Sequence, residues 1–74
     1  MLPLPSLKRI RLRQFMTQEE LAERAGLSRL SVNRIEGGQP ARLSTIKKLA
    51  TTLGVAPATL TAPEDQDQGQ QEAA

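Results

Sequence analysis

The chain has 74 residues and a formal net charge of +2, with no cysteine, histidine, tryptophan or tyrosine, and with Phe15 as its single aromatic residue. That length makes one small domain with a core of marginal size. Without cysteine or histidine there is no disulfide framework, no thiolate metal site and no imidazole base, so no catalytic residue, metal or cofactor is expected, and one aromatic ring excludes a stacking platform for single-stranded nucleic acid.

Pro3 and Pro5 keep residues 1–5 out of helix, which predicts an extended N-terminal arm and a domain starting at Ser6. Leu7, Ile10 and Gln14 share one face of a first helix over 6–15, with Lys8, Arg9 and Arg13 turned outward. Thr17 caps a second helix and forms a capping box with Glu20; Leu21, Ala22 and Ala25 are its buried stripe, and Gly26 ends it in a left-handed turn. Ser28 caps a third helix that buries Val32 and Ile35, with Leu27 under its start. Gly37, Gly38, Gln39 and Pro40 form a loop. Leu43, Ile46, Leu49, Ala50 and Leu53 define a fourth helix stopped by Gly54, and Pro57 opens a short fifth that seats Leu60. Every predicted element is helical and strand content is expected to be nil.

Residues 62–74 lack any large apolar side chain and are expected to be a disordered acidic tail. All ten Lys and Arg lie in residues 1–61 beside Glu19, Glu20, Glu23 and Glu36, a net +6, whereas Glu64, Asp65, Asp67 and Glu72 give the tail −4. A basic body points to a polyanionic partner, the alternative being ordinary solvated charge. No apolar run approaches the ~18 residues of a membrane span, and residues 1–5 are too short and proline-rich for a signal peptide. A soluble cytoplasmic protein without membrane association is expected.

The second and third helices meet through a tight turn, with Ala22 supplying a small side chain at the crossing and Gly26 the turn conformation. The stretch Thr17, Gln18, Glu19, Glu20, Leu21, Ala22, then Gly26, then Ile35, Glu36, Gly37 resembles the Cro and phage-repressor helix-turn-helix family, the xenobiotic-response-element type. The resemblance covers residues 6–60. It implies an all-α, compact four- to five-helix lambda-repressor-like bundle, with 6–61 as a DNA-binding domain of bacterial or phage origin.

The resemblance also implies roles. Ser28, Arg29 and Leu30 match the first turn of the recognition helix, with Asn33 and Arg34 one turn further along the groove-facing side. Thr17, Gln18, Ser31 and Arg42 match phosphate-binding positions. Arg11 and Glu36 match a partly buried ion pair. Chemistry supports the same assignments: arginine's planar fork bonds guanine O6 and N7 together, which suits Arg29 first and Arg34 second, and Leu30 suits a thymine methyl. Alternatives remain at this point. Arg29 and Arg34 fit a solvated face or plain phosphate contact; Leu30 fits a dimer or core contact; Gln18 fits a solvated position; Arg11 with Glu36 fits a weak surface pair. Phe15 stands where the family has glycine, and Arg42 where a serine-like cap opens the fourth helix.

The function expected is sequence-specific regulation through double-stranded DNA, as a repressor homodimer on an inverted repeat. A second reading is an antitoxin or restriction–modification controller whose acidic tail engages a toxin or other protein partner, the tail otherwise being a solubilising end. A third is a protein-interaction adaptor on the same fold. An enzyme is the weakest reading, because no acid–base or nucleophile arrangement exists.

Overall fold

Five helices follow one another in the computed structural model, which describes residues 1–63: α1 (Leu7–Arg13), α2 (Gln18–Ala25), α3 (Arg29–Glu36), α4 (Leu43–Leu53) and α5 (Pro57–Thr61). The tail expected over 62–74 lies, from residue 64 onward, outside the described residues. Each helix sends one fully buried side chain to a common core: Leu7, Leu21, Val32, Leu49 and Leu60. Burying aliphatic side chains of this size stabilises a fold by about 1.5–3 kcal/mol each.

The helix boundaries follow from local chemistry. Both bonds of the capping box at α2 are present: Glu20 N donates to Thr17 Oγ1 at 3.0 Å, and Thr17 N donates to Glu20 Oε1 at 2.9 Å. Gly26 (φ 74°) and Gly54 (φ 70°) turn left-handed after α2 and α4. Each begins the same closing pattern. Gly26 N donates to Glu23 O and Leu27 N to Ala22 O, while Gly54 N donates to Thr51 O and Val55 N to Ala50 O. These bonds satisfy carbonyls that the helix itself leaves open. Pro57 opens α5 at its first position, as expected.

Several expectations need correction. Helix α1 ends at Arg13 instead of residue 15, because Phe15 is left-handed (φ 58°) and closes the helix as the two glycines do: Phe15 N donates to Leu12 O and Met16 N to Arg11 O. Gln14 is therefore not part of the buried face. It is exposed beyond the helix, and its Nε2 donates to Leu53 O at 2.7 Å, capping the end of α4. Arg9 is half-buried instead of turned outward. Leu43 is 61% exposed, since no described residue covers the apolar stripe of α4 at its first turn. Arg42 precedes that turn in extended conformation and makes no side-chain cap bond.

Packing also begins before Ser6. Leu4 is buried in the core, and Leu2 exchanges backbone bonds with Ala41 at 3.0 and 2.7 Å. This isolated antiparallel bridge is the only β-type pairing among the described residues, where none was expected. Ser6, also buried, ties the start of α1 to the end of α5: its N–H donates to Leu60 O, and its hydroxyl to Ala62 O. Among the described residues no helix is long and apolar enough to cross a membrane.

Candidate nucleic-acid interface

Helices α2 and α3 are joined by Gly26, Leu27 and Ser28, a turn short enough to force a steep crossing. Ala22 and Ala25 on α2 and Val32 and Ile35 on α3 are buried in the same core cluster, small and branched side chains that suit a close crossing. At 100° per residue, Arg29, Leu30, Asn33 and Arg34 occupy an arc of about 140°, and Val32 and Ile35 lie on the opposite side of the α3 axis. All four arc residues are exposed, Leu30 by 56%, so Leu30 is not a core residue.

Three shallow hollows flank this arc. One is lined by Arg11, Thr17, Gln18, Glu19 and Arg29, a second by Arg29, Leu30 and Asn33. The third includes Ser31, Arg34, Gln39, Arg42 and Thr45. Thus four of the five residues expected to touch base edges, all but Ser28, share one exposed face of α3, and Thr17, Gln18, Ser31 and Arg42, expected to touch phosphates, line hollows beside it. The first hollow opens at the N-terminal turn of α2, where the positive end of the helix and the Arg29 guanidinium favour an anion, while Glu19 opposes it. Gln39 and Thr45 were not singled out from sequence; polar residues flanking Arg42 are the only signal that could have found them.

Ser28 behaves differently from its neighbours. Its Oγ accepts from Ser31 N at 3.1 Å and donates to Ser31 Oγ at 2.9 Å. The Ser28 hydroxyl is therefore used inside the first turn of α3, which leaves the Ser31 hydroxyl hydrogen available to an outside acceptor.

Beneath the exposed face of α3 lies a charged network. Arg11 Nε donates to Glu36 Oε2 at 2.6 Å and Arg11 Nη2 to Glu36 Oε1 at 3.1 Å, with side chains only 7% and 4% exposed. Arg11 Nη1 also donates to Met16 O at 2.6 Å, so the guanidinium joins the closing turn of α1 to the end of α3. Gln18 Nε2 donates to Glu36 Oε1 at 3.0 Å, and Asn33 Nδ2 donates to Gln18 Oε1 at 3.4 Å. A surface pair of little consequence is excluded by this burial. The bonds of Gln18 were not legible in sequence, because its partners lie 15 and 18 residues away.

The Glu20 carboxyl titrates below its ordinary range. The Thr17 backbone N–H, and then the Thr17 hydroxyl, hold it below the ordinary value of 4.5, with a smaller contribution from Arg24.

The sequence profile of the helix-turn-helix family matches residues 7–60. Among solved structures, the chain is similar to a hypothetical transcription factor, NHTF, from Neisseria, at 30% identity and a TM-score of 0.80, covering 96% of each chain. It is similar to the restriction–modification controller protein C.AhdI from Aeromonas hydrophila at 38% identity and a TM-score of 0.69, covering 73% of this chain and 83% of that one. The controller protein C.Esp1396I gives 29% identity and a TM-score of 0.66 over 73% and 71% of the two chains. No curated protein sequence matches significantly. With the family's profile spanning α1 to α5 and its two-helix unit in place, the chain belongs to the Cro/C1-type helix-turn-helix family.

Proposed function

We propose that this protein is a sequence-specific regulator of transcription that binds double-stranded DNA as a homodimer on an inverted-repeat operator and represses by covering a promoter. The observation that carries the reading is the exposed arc of α3, with Arg29, Leu30, Asn33 and Arg34 projecting from a helix held from behind by Val32 and Ile35. In this reading Arg29 and Arg34 bond guanine edges, Leu30 meets a thymine methyl, and Asn33 meets a base one turn along the groove. Thr17, Gln18, Ser31 and Arg42 grip phosphates on either side, while Ser28 contributes chiefly by stiffening the first turn. Two recognition helices then enter successive major grooves ~34–36 Å apart. Displacement of counterions by the basic body supplies much of the affinity, so binding weakens steeply with salt. Such a regulator acts on the chromosome, in the cytoplasm.

A second reading makes the protein the controller of a restriction–modification system. It is supported by the likeness to C.AhdI and C.Esp1396I, both named as controllers. The two readings share the DNA contacts and differ in the genes controlled, so a restriction endonuclease gene beside the operator favours the second.

Selection of bound duplexes from a random pool tests the proposal. The expected product is a pair of inverted half-sites. Arg29→Ala relaxes base preference at one position of each half-site, and Arg42→Ala weakens all sequences alike and flattens the salt dependence. Equal losses on selected and random duplexes for both variants would refute the division of labour, and absence of any selected sequence would refute the function.

A further inference from the structure

We infer that the buried Arg11–Glu36 pair sets, through Gln18, the hydrogen-bond polarity that Asn33 presents to DNA, which makes Glu36 a positioning residue for adenine selection. The inference rests on the proposed reading of duplex DNA by α3. Its physical basis is one-directional. An ionised carboxylate only accepts hydrogen bonds, so the group of Gln18 that faces Glu36 Oε1 at 3.0 Å must be its amide nitrogen. That choice turns Gln18 Oε1 toward α3. An acceptor there requires a donor opposite, and Asn33 supplies its Nδ2 at 3.4 Å.

Asn33 is then left with a defined remainder: Oδ1 as acceptor and one Nδ2 hydrogen as donor. Adenine presents the complement in the major groove, an N7 acceptor beside an N6 donor. Guanine presents two acceptors, N7 and O6, and would set O6 against Asn33 Oδ1. A free asparagine answers guanine by turning its amide over. Here the same rotation would lose the Gln18 bond and place Oδ1 against Gln18 Oε1, acceptor against acceptor. Gln18 cannot yield in turn, because Glu36 is pinned by Arg11 Nε and Nη2, and Arg11 by Met16 O. The amide polarity at the protein surface is therefore fixed by a charge buried beneath it.

Gln18→Met tests the relay, since it keeps an unbranched chain of similar length, removes both amide bonds and leaves the ion pair intact. In the free, uniformly nitrogen-15-labelled protein, the Asn33 side-chain amide signals shift in this variant, while the Arg11 Nε–H signal stays in place. Signals of Asn33 that coincide with those of wild type would overturn the relay whether or not DNA is bound. In duplex selection, wild type favours adenine over guanine about tenfold at one position of each half-site; Asn33→Ala abolishes that ratio, and Gln18→Met lowers it to about twofold. If Asn33→Ala abolishes the ratio and Gln18→Met leaves it unchanged, losing only affinity on all sequences alike, the relay is overturned and the DNA reading survives. If Asn33→Ala leaves every base preference unchanged, the assignment of Asn33 as a reader fails and the relay with it.

Discussion

Replacing Arg11 by methionine isolates the energetic role of the buried network. In the wild-type protein the guanidinium makes two bonds to Glu36 and one to the Met16 carbonyl, between side chains 7% and 4% exposed. Methionine fills much of the same space with no charge. The Glu36 carboxylate then stays shielded from water with Gln18 Nε2 as its remaining donor from this network, and removing one partner of a buried pair costs about 3–5 kcal/mol. A domain of this size has only about 3–5 kcal/mol of stability in total, so Arg11→Met is expected to be largely unfolded at 25 °C. The double variant Arg11→Met/Glu36→Leu removes both charges and is expected to lie within about 2 kcal/mol of wild type, the Met16 carbonyl having lost its donor. Glu36→Leu alone strands the buried guanidinium at a similar cost of about 3–5 kcal/mol, so the cycle should show a coupling of at least about 4 kcal/mol. Urea unfolding followed by far-ultraviolet circular dichroism is the suitable assay, because the chain has no tryptophan or tyrosine to report by fluorescence. Destabilisation of Arg11→Met by less than about 0.5 kcal/mol, the range of ordinary surface substitutions, would refute the reasoning. So would a double variant as unstable as the sum of the two single changes.

Two further outcomes follow from local geometry. Phe15 is 93% exposed and sits at φ 58°, so Phe15→Gly sheds a left-handed penalty of ~1–2 kcal/mol against a glycine entropy cost of ~0.5–1 kcal/mol, without loss of packing. A net gain of about 0.5–1 kcal/mol in urea unfolding is expected, and a loss would show that Phe15 packs in solution. The Glu20 carboxyl is held below 4.5 by the Thr17 bonds, so its contribution is present above that value and lost as pH falls through the lower folded-state value. Protection of the first-turn amides of α2, taken relative to their intrinsic exchange at each pH, should fall over that acid range in wild type and show no such step in Glu20→Gln. An identical step in both would assign the acid sensitivity to another group.

The readable parts of this chain are those whose cause lies within a few residues. Thr17 with Glu20, Gly26, Ser28, Gly54 and Pro57 mark helix ends through bonds or backbone preferences spanning at most five positions, and each falls where its local chemistry requires. The outward arc of α3 was legible for the same reason, since helical periodicity opposes Arg29, Leu30, Asn33 and Arg34 to Val32 and Ile35. Two local signals misled. Leu43 fits the apolar stripe of α4, yet burial requires a neighbouring element, and none of the described residues covers that turn. Gln14 fits the face of α1, yet Phe15 ends the helix by adopting a conformation that sequence assigns to glycine.

Tertiary structure alone decided the rest. Leu4 is buried, and the pairing of Leu2 with Ala41, the reach of Gln14 to Leu53 and the bonds of Gln18 with Glu36 and Asn33 join residues 15 to 39 positions apart. Amide and hydroxyl groups carry no periodic signature; each takes the partner that packing of the aliphatic core brings within 3.5 Å, and at the ends of α1 and α3 that packing encloses a charge as well.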